Sequence, residues 1–141
     1  MKVKELLTEG LDKRSTYQIL LGFIEFAARD LELTSLPKFD FAFDSDRSVH
    51  NKSFGGYMPG GEHITITVKN RHIMDVCRTL AHEMVHVKQY AKGQVKASKS
   101  CKTHYWMGKH IRKSYYEQPW EVEAFTKERV LANKLFAIIG E

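Results

Sequence analysis

The 141-residue sequence contains only two cysteines, Cys77 and Cys101, and no CxxC pair. Two such thiols do not make a disulfide framework, and free thiols are typical of a reducing compartment. No apolar run approaches the roughly 18 residues of a membrane span. Acidic residues interrupt the short apolar patch at residues 1–9, whereas the centre of a signal peptide is uninterrupted. We therefore expect a cytoplasmic protein with no membrane partner.

Acidic residues are absent from positions 84–116, although the chain contains 17 of them. Eight basic residues stand in that segment: Lys88, Lys92, Lys96, Lys99, Lys102, Lys109, Arg112 and Lys113. The segment carries +8, so the rest of the chain sums to −3 within the net charge of +5. Such a run usually forms a solvated surface, but clustered lysines also bind phosphates through counterion release. Residues 88–113 are thus either a solvated surface or a contact for nucleic acid.

The residues His82-Glu83-Met84-Val85-His86 form an HExxH pattern. Two histidines four positions apart project from one face of an α-helix. They can bind one metal ion from that face and leave coordination positions open for water and substrate. Glu83 lies about 100° further around the helix, at the rim of the same face. From there its carboxylate can accept a proton from a water molecule that the metal activates.

A helix predicted from Asn70 to Gly93 surrounds this pattern and distinguishes it from a chance match. Its apolar side chains form one stripe: Ile73, Val76, Cys77, Leu80, Met84, Val87 and Ala91. His82, His86 and Gln89 fall on the opposite side. A histidine that serves only packing would lie within the stripe, so this arrangement favours a metal site.

The other patterns predict a single α+β domain over residues 1–141. In chain order they indicate a short helix or flexible arm (1–12), a helix opened by a capping box at Ser15–Gln18 and ending near Leu33, a strand around Phe39, Phe41 and Phe43, two strands (54–58 and 63–68) flanking a turn, a polar loop (94–103), a short extended segment (104–116) and a helix from Pro119 to Ile139. The expected architecture is a scaffold helix, a small mixed β-sheet of about three strands, the HExxH metal helix and a closing C-terminal helix.

A catalytic zinc site usually has three protein ligands and one open position. Glu121 shares a face of the last helix with apolar residues, whereas Glu123 lies on the opposite face with Lys127, its i+4 partner for an exposed ion pair. A carboxylate on an apolar face needs a partner, and a metal ion supplies one. We therefore predict Glu121 as the third ligand, with His104 as the alternative. Glu128, on the same face as Glu121, either supports the site or is exposed.

Three segments resemble those of known zinc metallopeptidases: residues 79–89 (Thr-Leu-Ala-His-Glu-Met-Val-His-Val-Lys-Gln), 106–108 (Trp-Met-Gly) and 116–124 (Tyr-Glu-Gln-Pro-Trp-Glu-Val-Glu-Ala). They are similar to the gluzincin branch and, more narrowly, to small, often phage-encoded, SprT-like metallopeptidases, over about residues 56–135. The resemblance implies a zincin-like fold with zinc held by His82, His86 and Glu121. It also implies cleavage of protein or peptide substrates by zinc-activated water with Glu83 as general base, in the host cytoplasm if the chain is viral.

The chain departs from these families at three points. His104 stands in Thr-His-Tyr, whereas SprT and Spartan proteins place their third histidine in Gly-His-Gly. The zinc ribbon found in many of them needs more than two cysteines. Phe125 occupies the position at which many gluzincins have an Asp, four residues after the glutamate ligand.

Three functions are compatible with these patterns. The first is the peptidase, in which Tyr115 or Tyr116 either donates to the substrate carbonyl or only packs. The second is a zinc-stabilised DNA-associated or regulatory binding module without catalysis. The third is an amidase acting on a non-protein amide. The first two also combine, since SprT-like relatives imply proteolysis of DNA-bound proteins.

Overall fold

The computed structural model describes residues 12–36, 38–43, 55–56, 63–97 and 104–139. These residues form three α-helices, six strands and one short 3-10 helix: α1 (Lys13–Asp30), β1 (Lys38–Ala42), β2 (Gly55–Gly56), β3 (His63–Thr67), α2 (Ile73–Ala91), β4 (Val95–Ala97), β5 (His104–Trp106), β6 (Lys109–Ile111), the 3-10 helix (Tyr115–Glu117) and α3 (Pro119–Ile139). The predicted α+β class is confirmed. Of the predicted N-terminal arm, only Asp12 is among the described residues. No helix in the described ranges is both long and apolar enough to cross a membrane.

The N-cap of the scaffold helix α1 lies three residues before the predicted cap, Ser15. Asp12 is the N-cap, and its carboxylate accepts a hydrogen bond from the backbone N–H of Ser15 at 2.7 Å. This bond lowers the pKa of Asp12. The helix ends at Asp30 rather than near Leu33, because the Leu33 N–H turns back to the carbonyl of Ala28. The predicted helix is confirmed, but its capping box at Ser15 is wrong.

A three-stranded mixed sheet lies against α1 and α2, as predicted. Its strand order is β1-β3-β2, with β1 parallel and β2 antiparallel to the central strand β3. Ile64 and Ile66 of β3 are fully buried, and Phe39 and Phe41 of β1 pack against the same core. The core continues between the helices through apolar side chains of each: Leu20, Phe23, Ile24, Ala27, Val76, Cys77, Leu80, Met84, Ala124 and Leu131.

A second sheet forms from part of the predicted loop (94–103) and from the predicted extended segment (104–116). Strands β4, β5 and β6 pair antiparallel in that order. The loop predicted for residues 94–103 is therefore wrong at Val95–Ala97. Val95 is buried and Lys96 is exposed, so this strand alternates over too few residues to be visible as a pattern. Its pairing partner lies in β5, where Trp106 is opposite Val95.

Arg71 connects the central strand to the HExxH helix. Its guanidinium donates to the carbonyl of Thr67 at 2.7 Å and to the hydroxyl of Thr79 at 2.6 Å. The end of β3 is thereby tied to the second turn of α2. His72, rather than the predicted Asn70, caps α2, since its Nδ1 accepts from the N–H of Met74 at 3.1 Å.

The last two helices pack side by side over much of their length. Gly93, at φ +68°, follows the end of α2 as predicted. The helix α3 has the predicted bounds, Pro119–Ile139. This packing brings the HExxH face of α2 against the face of α3 that carries Glu121.

Candidate metal centre

His82, His86 and Glu121 converge between α2 and α3. The Nε2 atom of His86 lies 2.5 Å from Oε1 of Glu121, and Nε2 of His82 lies 3.3 Å from the same oxygen. One donor atom from each side chain lies within 4.8 Å of the other two. The Glu121 side chain is only 3% exposed, as expected for a carboxylate on an apolar face that requires a partner. The structure thus brings together the three residues predicted as ligands.

A carboxylate and an aromatic ring lie behind His82. The Oε1 atom of Glu128 is 3.4 Å from Nδ1 of His82, and the Phe125 ring packs edge-on against the imidazole at 4.6 Å between centroids. Glu128, three residues after Phe125 on the same side of α3, thus provides a carboxylate behind the His82 ring. It lies in the site rather than in solvent.

An amide lies behind His86. The Nδ1 atom of His86 is 2.8 Å from Oε1 of Gln89, whose side chain is fully buried. The sequence places Gln89 on the same side of the helix as His82 and His86 but predicts no role for it. The i,i+3 spacing from His86 to Gln89 is the signal that predicts this contact, because residues three apart are neighbours on a helix.

The environment of His82 favours a positive charge. Burial alone would lower the pKa of this imidazole, but hydrogen bonds to Glu121 and Glu128 and the charges of Glu121 and Glu83 outweigh burial. The pKa of His82 consequently rises from 6.5 to about 9. Carboxylates thus stabilise a cation, a proton or a metal ion, at the point where the two imidazoles meet.

Glu83 is more enclosed than its predicted position at the helix rim indicated. Its side chain is buried among the ligand residues, and desolvation raises the pKa of its carboxyl group despite the opposing charges of His86 and His82. A carboxylate with a raised pKa is a stronger base than one in water and is suited to proton transfer near neutral pH.

Glu123 does not form the predicted exposed pair with Lys127. Its Oε1 atom lies 2.8 Å from Nζ of Lys88 and 3.1 Å from Nε2 of Gln89, both on α2. The reason is that α2 packs along this flank of α3, which the periodicity of α3 alone does not reveal. Lys88 is only 5% exposed, so it is also not part of a solvated basic surface.

The other candidate residues lie apart from the cluster. His104 is in β5 with its ring 5.2 Å from that of Trp120, and burial lowers its pKa. Tyr116 is 75% exposed and stacks on Phe125 at 5.9 Å. The side chain of Tyr115 is outside the described part of the structure, as is Cys101. Cys77 is a free thiol in the core, where burial raises its pKa to about 12.

Two imidazoles and one carboxylate are a donor set that zinc takes in catalytic sites, with one coordination position left open. The residues present therefore fit a zinc ion. Each histidine also has an acceptor at its Nδ1, which is the usual arrangement for a histidine that binds a metal through Nε2. Comparisons with protein families, with curated proteins and with solved structures find no match for this chain.

Proposed function

We propose that this protein is a zinc-dependent hydrolase, a zincin-type metallopeptidase similar to gluzincins and to SprT-like proteins, that cleaves protein or peptide substrates. The observation that supports the proposal is the convergence of three donor atoms from His82, His86 and Glu121, with the buried carboxyl group of Glu83 beside them. Two imidazoles and two carboxyl groups in one buried cluster would destabilise a core that only packs, because each group is costly to desolvate.

His82, His86 and Glu121 would hold the ion, with Glu128 and Gln89 holding the Nδ1 sides of the two rings. Zinc bound there supplies Lewis acidity, which polarises the scissile carbonyl and lowers the pKa of water. Glu83 accepts the proton of the attacking water molecule and transfers it to the nitrogen of the leaving amine. The raised pKa of Glu83 suits both steps, since the group must first take up and then release a proton.

The identity of the third ligand is tested by the zinc content of the purified protein. We expect about one zinc per chain in the wild type. Glu121→Ala should lose the metal, because it removes one of three donor atoms, whereas His104→Ala should retain it. Loss of zinc from His104→Ala alone would assign the third ligand to His104. A wild type that binds no zinc under metal-replete conditions would overturn the whole proposal.

The role of Glu83 is tested by Glu83→Gln, which keeps the size of the side chain and removes its basicity. We expect this variant to retain zinc and to lose nearly all peptide hydrolysis, which a protein and peptide substrate panel would measure. Glu25→Gln, an exposed position on α1, is the matched control and should hydrolyse at the wild-type rate. Full activity in Glu83→Gln would exclude Glu83 as the general base.

A second candidate function is a zinc-stabilised DNA-associated module without catalysis. Lys96, Tyr105 and His110 lie opposite one another on β4, β5 and β6, and all three are exposed. The rings of Tyr105 and His110 are 5.1 Å apart. A row that combines a cation with two exposed aromatic rings suits the phosphates and bases of nucleic acid.

Fluorescence anisotropy with labelled DNA at increasing salt distinguishes this module from the peptidase. DNA binding that weakens with salt, depends on Lys96 and survives Glu83→Gln, with no cleavage of any protein, would favour the module. Cleavage of a protein substrate that Glu83→Gln abolishes would favour the peptidase, and stimulation of that cleavage by DNA would join the two functions.

A further inference from the structure

Gln89 is a fully buried side chain with polar contacts to both helices of the site. Its Oε1 atom is 2.8 Å from Nδ1 of His86 on its own helix, α2. Its Nε2 atom donates to the backbone carbonyl of Trp120 at 2.9 Å and to Oε1 of Glu123 at 3.1 Å, both on α3. A buried amide with every polar atom partnered is a fixed element of a structure rather than a filler of space.

These partners determine which way the amide points. The Trp120 carbonyl and the Glu123 carboxylate only accept hydrogen bonds, so the NH2 group of Gln89 must face them. The flipped amide would place its oxygen against two other acceptors in a buried setting. The oxygen of Gln89 therefore faces Nδ1 of His86. Because this oxygen can only accept a hydrogen bond, Nδ1 of His86 must be the donor and must carry a proton.

Lys88 holds this arrangement in place. Its Nζ atom lies 2.8 Å from the same Glu123 oxygen that accepts from Gln89. The ammonium group compensates the charge of a partly buried carboxylate. The same Glu123 oxygen thus accepts hydrogen bonds from both the Lys88 ammonium group and the Gln89 amide.

We propose that Gln89 is a positioning residue for the metal centre: it keeps a proton on Nδ1 of His86 and so presents the Nε2 lone pair to the ion. This inference rests on the proposed zinc site. The same amide also sets Glu121, because the carbonyl that accepts from it belongs to Trp120, the residue before Glu121 in α3. One side chain therefore holds two of the three ligands in register across the helix pair.

Two measurements on the purified protein test this role. The first is the ring 15N chemical shifts of His86 in the metal-free wild type, for which we expect a protonated Nδ1. The second is the zinc dissociation constant, from competition with a chelator. Gln89→Leu should weaken zinc binding about 10- to 100-fold, as is usual when the partner of a ligand histidine is lost.

Gln118→Leu is the matched control. Gln118 lies two residues before Trp120, but its side chain donates to the carbonyl of Lys113 at the surface and not to a residue of the site. The zinc affinity of this variant should therefore stay within about twofold of the wild type. A Gln89→Leu variant that binds zinc as the wild type does would overturn the proposal. So would an unprotonated Nδ1 of His86 in the metal-free wild type, a result that does not depend on whether any variant folds. If Nδ1 is protonated but the wild type binds no zinc, the orientation of His86 stands and the zinc function fails.

Discussion

The two histidines of the site differ in the group behind each ring. A carboxylate, Glu128, faces Nδ1 of His82, and a neutral amide, Gln89, faces Nδ1 of His86. A carboxylate stabilises a positive imidazolium more than an amide does, because the interaction is charge-assisted. This difference is consistent with a pKa of about 9 for His82 in the metal-free protein. In the metal-free protein His82 therefore holds an exchangeable proton at pH 7.

Zinc uptake should release that proton. Since the pKa of His82 is about 9, the side chain is protonated at pH 7 and zinc must displace its proton. We expect release of about one proton per zinc at pH 7 and an affinity that rises as the pH rises toward 9. Titration calorimetry in buffers with different ionisation enthalpies measures the release. A binding enthalpy that does not depend on the buffer would contradict this expectation.

The same shift predicts the pH dependence of the metal-free fold. The folded state holds the His82 proton more tightly than the unfolded chain, whose pKa is near 6.5. The stabilisation is therefore complete below about pH 6.5 and is lost as the pH rises through about 9. The raised pKa of Glu83 acts in the same direction. Urea unfolding with a chelator present should show lower stability at pH 9 than at pH 6.5, and the opposite trend would show that the pKa of His82 is not raised.

At the scale of elements, α2 is the central helix because both of its faces are buried. Twelve of its 19 residues are buried, and they include His82 and Gln89 on the side opposite the apolar stripe and Glu83 at the rim of that side. The stripe packs against the sheet and α1, while the polar side is covered by α3. The helix thus joins the hydrophobic core to the candidate metal centre. It ends at Ala91, and Gly93 lies in the short connection to β4.

Gly93→Ala should destabilise the protein. Gly93 has a φ of +68°, a conformation that costs a residue with a Cβ about 1 kcal/mol, although there is space for the added carbon. Gly22→Ala is the matched control, because Gly22 lies inside α1 with nothing within 4 Å of a Cβ. This control should raise the free energy of unfolding by about 0.5–1 kcal/mol. Urea denaturation measures both changes, and a stabilising Gly93→Ala would exclude strain at this turn.

At the scale of the whole molecule, the candidate metal centre connects two helices that are distant in the sequence. Its ligands come from α2 and α3, so the unfolded chain does not present the complete site. A ligand that binds only the folded state stabilises it by about 2.7 kcal/mol at a free concentration 100 times its dissociation constant. We expect zinc to raise the unfolding midpoint relative to chelator, and Glu121→Ala to show no such rise. Equal midpoints for the wild type with and without zinc would contradict a site shared by the two helices.

The local sequence determined much of this protein. The 3.6-residue period predicts α2 and its two faces, Pro119 marks the start of α3, and the strand patterns predict the small mixed sheet. The same period places Glu121 on the apolar face of α3, and the structure brings it to His82 and His86. These features depend on residues close together in the chain, which is why spacing alone reveals them.

Only the tertiary structure decided the rest. Glu123 pairs with Lys88 rather than with Lys127, and Gln89 contacts α3 through Trp120 and Glu123, since these contacts depend on how two helices pack. Strand β4 forms because β5 is available as its partner, not because its three residues favour a strand. Periodicity specifies which face of a helix is apolar, whereas the choice of neighbour depends on the packing of distant segments.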